Sequence, residues 1–331
     1  MSLDVAEKFC GANVLITGGL GFIGSNLART LVEAGAQVTL LDALLEPYGG
    51  NTVNVDDIKN QLEIVDGNIM DEQLVQQQVT GKDYIFHLAG QVGYLDSKER
   101  PFEDLDFNGR GNLILLEAVK AQAPQVKIVF SSSRLVYGKI LQTPVTEAHS
   151  TEPLSLYAIH KLLAEKHYAY YAHNFGVQGV SLRIPNPYGP RQQMKHARYG
   201  IVGWFLRQAM EDQPITIYGD GKQLRDYVYI DDIISAMLAA AVSGQAGEAY
   251  NIGSGEELTF EQMVDAIIAQ VGSGHKEFVS WPEDYEKNET GDYLADFGKL
   301  TTATGWQPTV AFSDGIAKMH SFYEQHRAAY W

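Results

Sequence analysis

The segment Asn13-Val14-Leu15-Ile16-Thr17-Gly18-Gly19-Leu20-Gly21-Phe22-Ile23-Gly24 joins a short apolar run to a glycine-rich turn, and the helix-like run Ser25–Ala34 follows it. A strand, a glycine turn and a helix start, in that order, present free backbone N–H groups and the positive end of a helix dipole to an anion such as a pyrophosphate. The glycines at 18, 21 and 24 are spaced G-x-x-G-x-x-G. Alone that spacing is a weak sign, because tight turns need glycine anyway. The next apolar run, Gln37–Asp42, ends on a carboxylate eighteen residues after Gly24. There Asp42 either opens a turn or accepts hydrogen bonds from both hydroxyls of an adenosine ribose. The second role repels a 2′-phosphate and favours NAD over NADP.

Outward from this segment, Leu62–Val65, Tyr84–Leu88 and Lys127–Ser131 read as further buried strands, and Leu113, Leu116, Val119 and Lys120 have helical spacing. Strand and helix in alternation predict an α/β fold: a Rossmann-type doubly wound parallel sheet, covered on both faces. Ser155 is placed to cap a helix over Leu156–Asn174 that Gly176 ends, and Gln178–Ile184 reads as one more strand. From Pro185 the pattern breaks into shorter elements with Pro- and Gly-rich joints. Residues 1–184 are therefore expected to form the dinucleotide-binding domain. Residues 185–331 are expected to form mainly a smaller C-terminal substrate-binding lobe, with some chain returning to the first domain and a cleft between the two.

Charge narrows the partners. Lys plus Arg number 25 against 41 Asp plus Glu, a formal charge of -16 over 331 residues, which repels a phosphate backbone or an anionic bilayer. Neither nucleic acid nor membrane is an expected partner. Cys10 is the only cysteine, so no intrachain disulfide or thiolate cluster can form, which suits a reducing compartment. Met1–Asn13 has no apolar targeting core and the longest weakly apolar run, Ile233–Val242, is too short to span a bilayer, so a cytoplasmic location is expected. The nine histidines have no H-E-x-x-H or similar spacing, and no metal is expected.

Tyr157-Ala158-Ile159-His160-Lys161 puts a phenol and an amine one helical turn apart on one face. By itself such a pair is usually a packed ring beside a solvated amine. Twenty-four residues earlier, however, Ser131-Ser132-Ser133 closes an apolar strand, at the sheet edge where ligands bind in doubly wound folds. An ammonium and an oxidised nicotinamide nearby would favour the phenolate, which can then accept a hydroxyl proton.

With these motifs in place the chain resembles the extended short-chain dehydrogenase/reductases, specifically the NDP-sugar epimerase/dehydratase family of the UDP-galactose 4-epimerase type. The resemblance runs from about Asn13 to Tyr323. It rests on Thr17–Gly24, His87-Leu88-Ala89-Gly90, Ser131–Gly138, Tyr157–Lys161, Leu182–Pro190, Arg225–Asp232 and Asn251–Gly255. It implies that Gly18, Gly21, Phe22, Ile23 and Gly24 cradle the NAD pyrophosphate, Asp42 holds the ribose, and Asn68 with Ile69 meets the adenine. Leu88, Ala89, Gly90 and Asn108 would line the nicotinamide side, and Lys161 would hold the nicotinamide ribose. Ser133 and Tyr157 would flank the reacting sugar carbon, and Asn186 and Arg225 would bind the substrate diphosphate. His160 is expected on the helix surface.

Three departures from the family pattern matter. Adenine recognition commonly uses Asp-Ile, and here the first residue is Asn68, whose amide oxygen still accepts from an amino group. The 4,6-dehydratases follow their catalytic hydroxyl with Asp-Glu, the acid and base of water elimination. Here Ser133 is followed by Arg134-Leu135. Many relatives carry an arginine three residues before the Gly-Asp aspartate, and before Asp292 that place is Glu289. With two arginines on the substrate a carboxylate there would repel a diphosphate, so two arrangements are open. Either Glu289 swings out while Lys287 or a residue of Lys195–Arg198 supplies a second cation, or the ligand carries a group that pairs with Glu289, such as an amino sugar.

The basic stretch Lys195, His196, Arg198 and Arg207, interleaved with Tyr199, Trp204 and Phe205, fits either a nucleotide-receiving wall or a surface loop. The expected function is NDP-sugar epimerisation with NAD, by C4 inversion through a transient 4-keto sugar. A C2 epimerase, decarboxylase, dehydratase or reductase on the same scaffold is the alternative, and from another class a non-catalytic NAD-binding sensor. Leu162, His167, Tyr168, Tyr170 and Tyr171 overfill one face of their helix, and family members pair through this helix and the one near Asn112–Val119, so a homodimer is expected.

Overall fold

The structure, a computed structural model, describes residues 3–46, 50–196, 198 and 200–331. Seven parallel strands form one sheet: β1 (Asn13–Thr17), β2 (Gln37–Asp42), β3 (Leu62–Asp66), β4 (Tyr84–His87), β5 (Lys127–Ser133), β6 (Gln178–Ile184) and β7 (Ala249–Asn251). Their order across the sheet is β3-β2-β1-β4-β5-β6-β7. The central strands read as unbroken apolar runs because both faces are covered. Val14 and Ile16 enter one core, with Leu27 and Leu31 of helix α1 (Phe22–Glu33) and Ile233 and Met237 of the later helix Ile230–Ser243. Leu15, between them, enters the other, with Leu116 and Val119 of α2 (Gly111–Gln122) and Tyr168 and Tyr171 of α3 (Leu156–Phe175).

Local chemistry sets the ends. The Ser155 hydroxyl accepts from Ala158 N at 3.3 Å to cap α3, and Gly176 closes it in the left-handed region at φ 73°. Strand β5 runs two residues beyond its apolar stretch, because Ser132 and Ser133 stay in register with Arg183 and Ile184 of β6. Backbone pairing is indifferent to serine polarity, and the extension carries Ser133 to the sheet's edge.

The chain after Pro185 forms short strand pairs, Asn186–Tyr188 with Tyr227–Tyr229 and Pro214–Tyr218 with His275–Val279, beside helices Ile201–Met210 and Phe260–Val271. Some of its elements lie with the large sheet, among them the helix Ile230–Ser243 and β7, which pairs with β6. The strand order reverses between β1 and β4. In doubly wound sheets the crevice at the carboxyl ends beside such a switch point is where ligands bind.

Candidate active site

A cavity of about 660 Å³ opens there, lined from both halves of the chain. At its sheet side the glycine turn is shaped by contacts only glycine permits. Gly18 sits at φ 69°, and a Cβ on it would lie 2.8 Å from Ala89 N. At Gly24 a Cβ would collide with the Gly18 carbonyl oxygen. The first intrahelical bond of α1 runs from Ser25 N to Gly21 O at 3.0 Å, so the N–H groups of Phe22, Ile23 and Gly24 precede the helical ladder and lie at the cavity wall. This cradle fits a dinucleotide pyrophosphate. Asp42, also lining it, accepts from Leu20 N and Leu44 N at 2.9 Å each, which fixes its carboxylate while leaving lone pairs for a ribose. Burial raises its pKa, opposed by those two bonds. Asn68 and Ile69 line the far end, with Asn68 Oδ1 accepting from Met70 N at 2.9 Å.

Leu88, Ala89 and Gly90 form the opposite wall. The expectation that Asn108 joins them is corrected. It is wholly buried behind the wall, its amide donating to Gln91 O at 3.0 Å and to Asp104 Oδ2 at 3.2 Å. A Cβ on Gly90 would meet its Oδ1 at 2.5 Å, so Asn108 shapes the crest without touching the cavity. Below the crest Thr17 Oγ1 and His87 Nδ1 lie 2.7 Å apart. Burial and the Lys161 charge push the His87 pKa down to about 3, so the ring is neutral.

Ser133, Tyr157 and Lys161 meet at the mouth of β5. Burial raises the Tyr157 pKa, against a lowering hydrogen bond from Ser133, so the chain alone keeps the phenol protonated. Lys161 is only 3% exposed. Its Nζ donates to Ser131 O at 3.1 Å and lies 4.9 Å from the Phe130 ring centre and 5.8 Å from that of Tyr157. Burial pushes its pKa down to about 8, and the Asp104 carboxylate works in the other direction. His160 is not on the helix surface: it is buried, with Nδ1 on the carboxylate of fully buried Asp104. The i, i+4 pattern ranked position 160 as outward because its partner lies on a separate helix, Pro101–Leu105.

Across the cavity, Asn186 donates to Asp226 O at 3.0 Å and lines the wall with Arg225. The Glu289 carboxylate does not swing out. Both its oxygens take Arg225 Nη2, at 2.6 and 2.7 Å, while Arg225 Nη1 donates to Leu224 O and Gly291 O. Lys287 pairs with Glu283 at 2.5 Å, and Arg198 pairs with Asp96 and Glu99, so neither supplies the extra cation. Of the basic stretch, Arg198, Trp204 and Phe205 line the cavity, whereas Arg207 is held by Glu211 and Met194 O. Tyr199 lies outside the described residues. Sequence reasoning missed the aromatic wall of Tyr94, Tyr218, Trp281 and Tyr285, whose rings stack edge-on or tilted at 5.2–6.2 Å. Scattered aromatics carry no local signal of a shared wall.

A glycine-cradled dinucleotide site and a Ser–Tyr–Lys set at the switch point of a parallel sheet define an enzyme of the extended short-chain dehydrogenase/reductase class. The chain belongs to the NAD dependent epimerase/dehydratase family, which matches residues 14–253, and its cofactor is NAD. It is 32% identical to a putative UDP-glucose 4-epimerase of Methanocaldococcus jannaschii, over 92% of this chain and 96% of that one. It is 31% identical to the CDP-paratose 2-epimerase of Salmonella typhi, over 93% and 98%, and 31% identical to a dTDP-glucose 4,6-dehydratase of Streptomyces niveus, over 95% and 94%. Among solved structures, an epimerase of Methanothermobacter thermautotrophicus superposes with a TM-score of 0.90 at 29% identity, covering 98% of this chain and 96% of that one. A UDP-glucose 4-epimerase of Thermotoga maritima, solved with UDP-glucose, superposes with a TM-score of 0.87 at 29% identity, covering 95% and 99%. Near-equal identity to epimerases and a dehydratase leaves the choice of reaction to the site residues. No helix among the described residues is long and apolar enough to cross a membrane.

Proposed function

We propose that the protein is an NAD-dependent NDP-sugar epimerase that inverts C4. The carrying observation is the cavity wall itself: Ser133, Tyr157 and Lys161 converge there, and the two positions after Ser133, both lining the cavity, hold Arg134 and Leu135. The acid and base that water elimination requires are missing from those places, so hydroxyl oxidation is the chemistry the set supports. NAD, held by the Gly18–Gly24 turn and Asp42, supplies a reversible hydride acceptor when bound. Tyr157 takes the proton of the C4 hydroxyl and returns it, and Ser133, hydrogen-bonded to Tyr157, orients that hydroxyl. Lys161, its Nζ 5.8 Å from the Tyr157 ring centre, would hold the nicotinamide ribose, and the positive charge of the oxidised nicotinamide would favour the phenolate that the chain alone keeps protonated. The ketosugar turns in the cavity and presents its other face, which yields the epimer. A sensor of NAD would need only the phosphate turn, so the buried Tyr157 and Lys161 favour an enzyme.

Incubating the purified protein with UDP- and dTDP-sugars and following the anomeric and C4 protons by NMR tests the reaction. A stable mixture of C4 epimers without added oxidant is expected. Formation of a 4-keto-6-deoxy sugar, inversion at C2 or loss of carbon dioxide would refute the assignment.

The same reading includes a homodimer. Tyr168 and Tyr171 are buried against the sheet and do not serve an interface, correcting part of the aromatic set named above. Outward apolar residues of α3 include Leu156, Ile159, Leu163, Tyr170 and Phe175, and Leu105 and Leu113 are also exposed. A Cβ at Gly109 would touch both Leu105 and Leu163, so these two side chains meet, and with the exposed apolar residues of α3 they offer a surface that a second copy can cover.

A further inference from the structure

One cation in the cavity has no part in the reaction just described. Arg134 follows Ser133 directly and opens the 3-10 turn Arg134–Tyr137. Its Nη1 donates to Thr290 Oγ1 at 3.0 Å, and its guanidinium lies 5.1 Å from the centre of the Tyr293 ring. Among the described residues no carboxylate is in ion-pair contact with it. The side chain lines the cavity and is half-buried.

The other cations around the cavity are taken. Arg225 has both terminal nitrogens engaged, one by Glu289 and one by two carbonyl oxygens. Arg198 is held by Asp96 and Glu99. Arg134, Arg225 and Glu289 together leave one formal positive charge, and that charge is on Arg134. Burial first, and then the neighbouring Arg225 charge, lower the Arg134 pKa only to about 10, so it stays cationic at neutral pH. A desolvated guanidinium without a counter-ion is unfavourable, and an oxyanion that reaches its open donors relieves it. Its position joins the two ends of the substrate site. The backbone adjoins Ser133 at the reacting carbon, and the guanidinium reaches Thr290, next to Glu289.

We infer that Arg134 binds an oxyanion of the substrate, either the sugar-side phosphate or a carboxylate carried by the sugar, and so provides the cationic contact that the Arg225–Glu289 pair does not. The inference rests on the cavity being an NDP-sugar site. The test is calorimetric binding to the NAD-loaded full chain, which does not depend on turnover. The ligands are UDP, dTDP, UDP-glucose, dTDP-glucose and UDP-glucuronate, and the proteins are wild type, Arg134→Met and Arg134→Gln. The glutamine keeps a donor near Thr290 and serves if the methionine variant does not fold.

Arg134→Met is expected to weaken binding by about 10- to 100-fold, the range of a charge-assisted hydrogen bond. The loss should shrink when salt is raised. An equal loss on UDP and on UDP-glucose identifies the phosphate, whereas a loss confined to UDP-glucuronate identifies a sugar carboxylate. Unchanged affinity for every ligand that wild type binds overturns the inference alone. So does a loss independent of salt, which would mean that Arg134 only packs the Thr290 loop. If wild type binds none of the five nucleotides, the NDP-sugar reading itself fails, and the inference with it.

Discussion

Lys161→Met should stabilise the nucleotide-free protein at neutral pH. The wild-type amine sits 3% exposed, against the Phe130 ring, and burial moves its pKa from 10.5 to about 8. That shift, at about 1.4 kcal/mol per unit, makes the buried ammonium unfavourable by about 3 kcal/mol. Methionine is of similar length and carries no charge, so the substitution removes this penalty. It also loses the bond from Nζ to Ser131 O, worth about 1 kcal/mol, which leaves a net gain of about 2 kcal/mol at pH 7. The sign with pH follows from proton counts. Between about 8 and 10.5 the unfolded chain binds more protons at this position than the folded one, so wild-type stability rises with pH through that window and is flat below it for this group. The advantage of Lys161→Met is therefore largest at pH 7 and gone by pH 10.5. Scanning calorimetry of both proteins, stripped of nucleotide, at several pH values measures it, and an advantage of a few degrees in Tm at pH 7 is expected. A difference that stays constant from pH 7 to 10.5, or one that grows with pH, would refute the assignment of a desolvated ammonium. Because Lys161 is also proposed to hold the nicotinamide ribose, added NAD should raise the Tm of wild type more than that of the variant.

Three further outcomes are expected. Tyr157→Phe should keep the fold and bound NAD while lowering turnover by about 10²- to 10⁴-fold, and turnover within a factor of two of wild type would remove Tyr157 from the proton-transfer role. Asp42→Ala should narrow the gap between NAD and NADP affinities in calorimetry, since the carboxylate fixed by Leu20 N and Leu44 N no longer faces a 2′-phosphate. Leu163→Glu, at the outward apolar patch of α3, should halve the mass seen by light scattering at micromolar concentration without changing the circular dichroism. A wild-type protein that is already monomeric would defeat the dimer.

The strand–turn–helix at Asn13–Gly24, the parallel sheet and the Tyr157–Lys161 pair are all legible along the chain. Each depends on local rules: apolar periodicity, the backbone freedom of glycine and the pitch of a helix. Strand β5 ends two residues beyond the expected Ser131, because its register is set by β6 and not by its own polarity. Groups that meet from distant parts of the chain are not legible in this way. His160 faces Asp104 from 56 residues away, which turned an apparent surface residue into a buried one. Glu289 reaches Arg225 across 64 residues and neutralises the cation expected on the diphosphate. Arg134 was legible only as a missing dehydratase acid until folding placed it among paired charges. Charge pairing and desolvation depend on which side chains packing brings within a few ångströms, and no spacing along the chain encodes that distance.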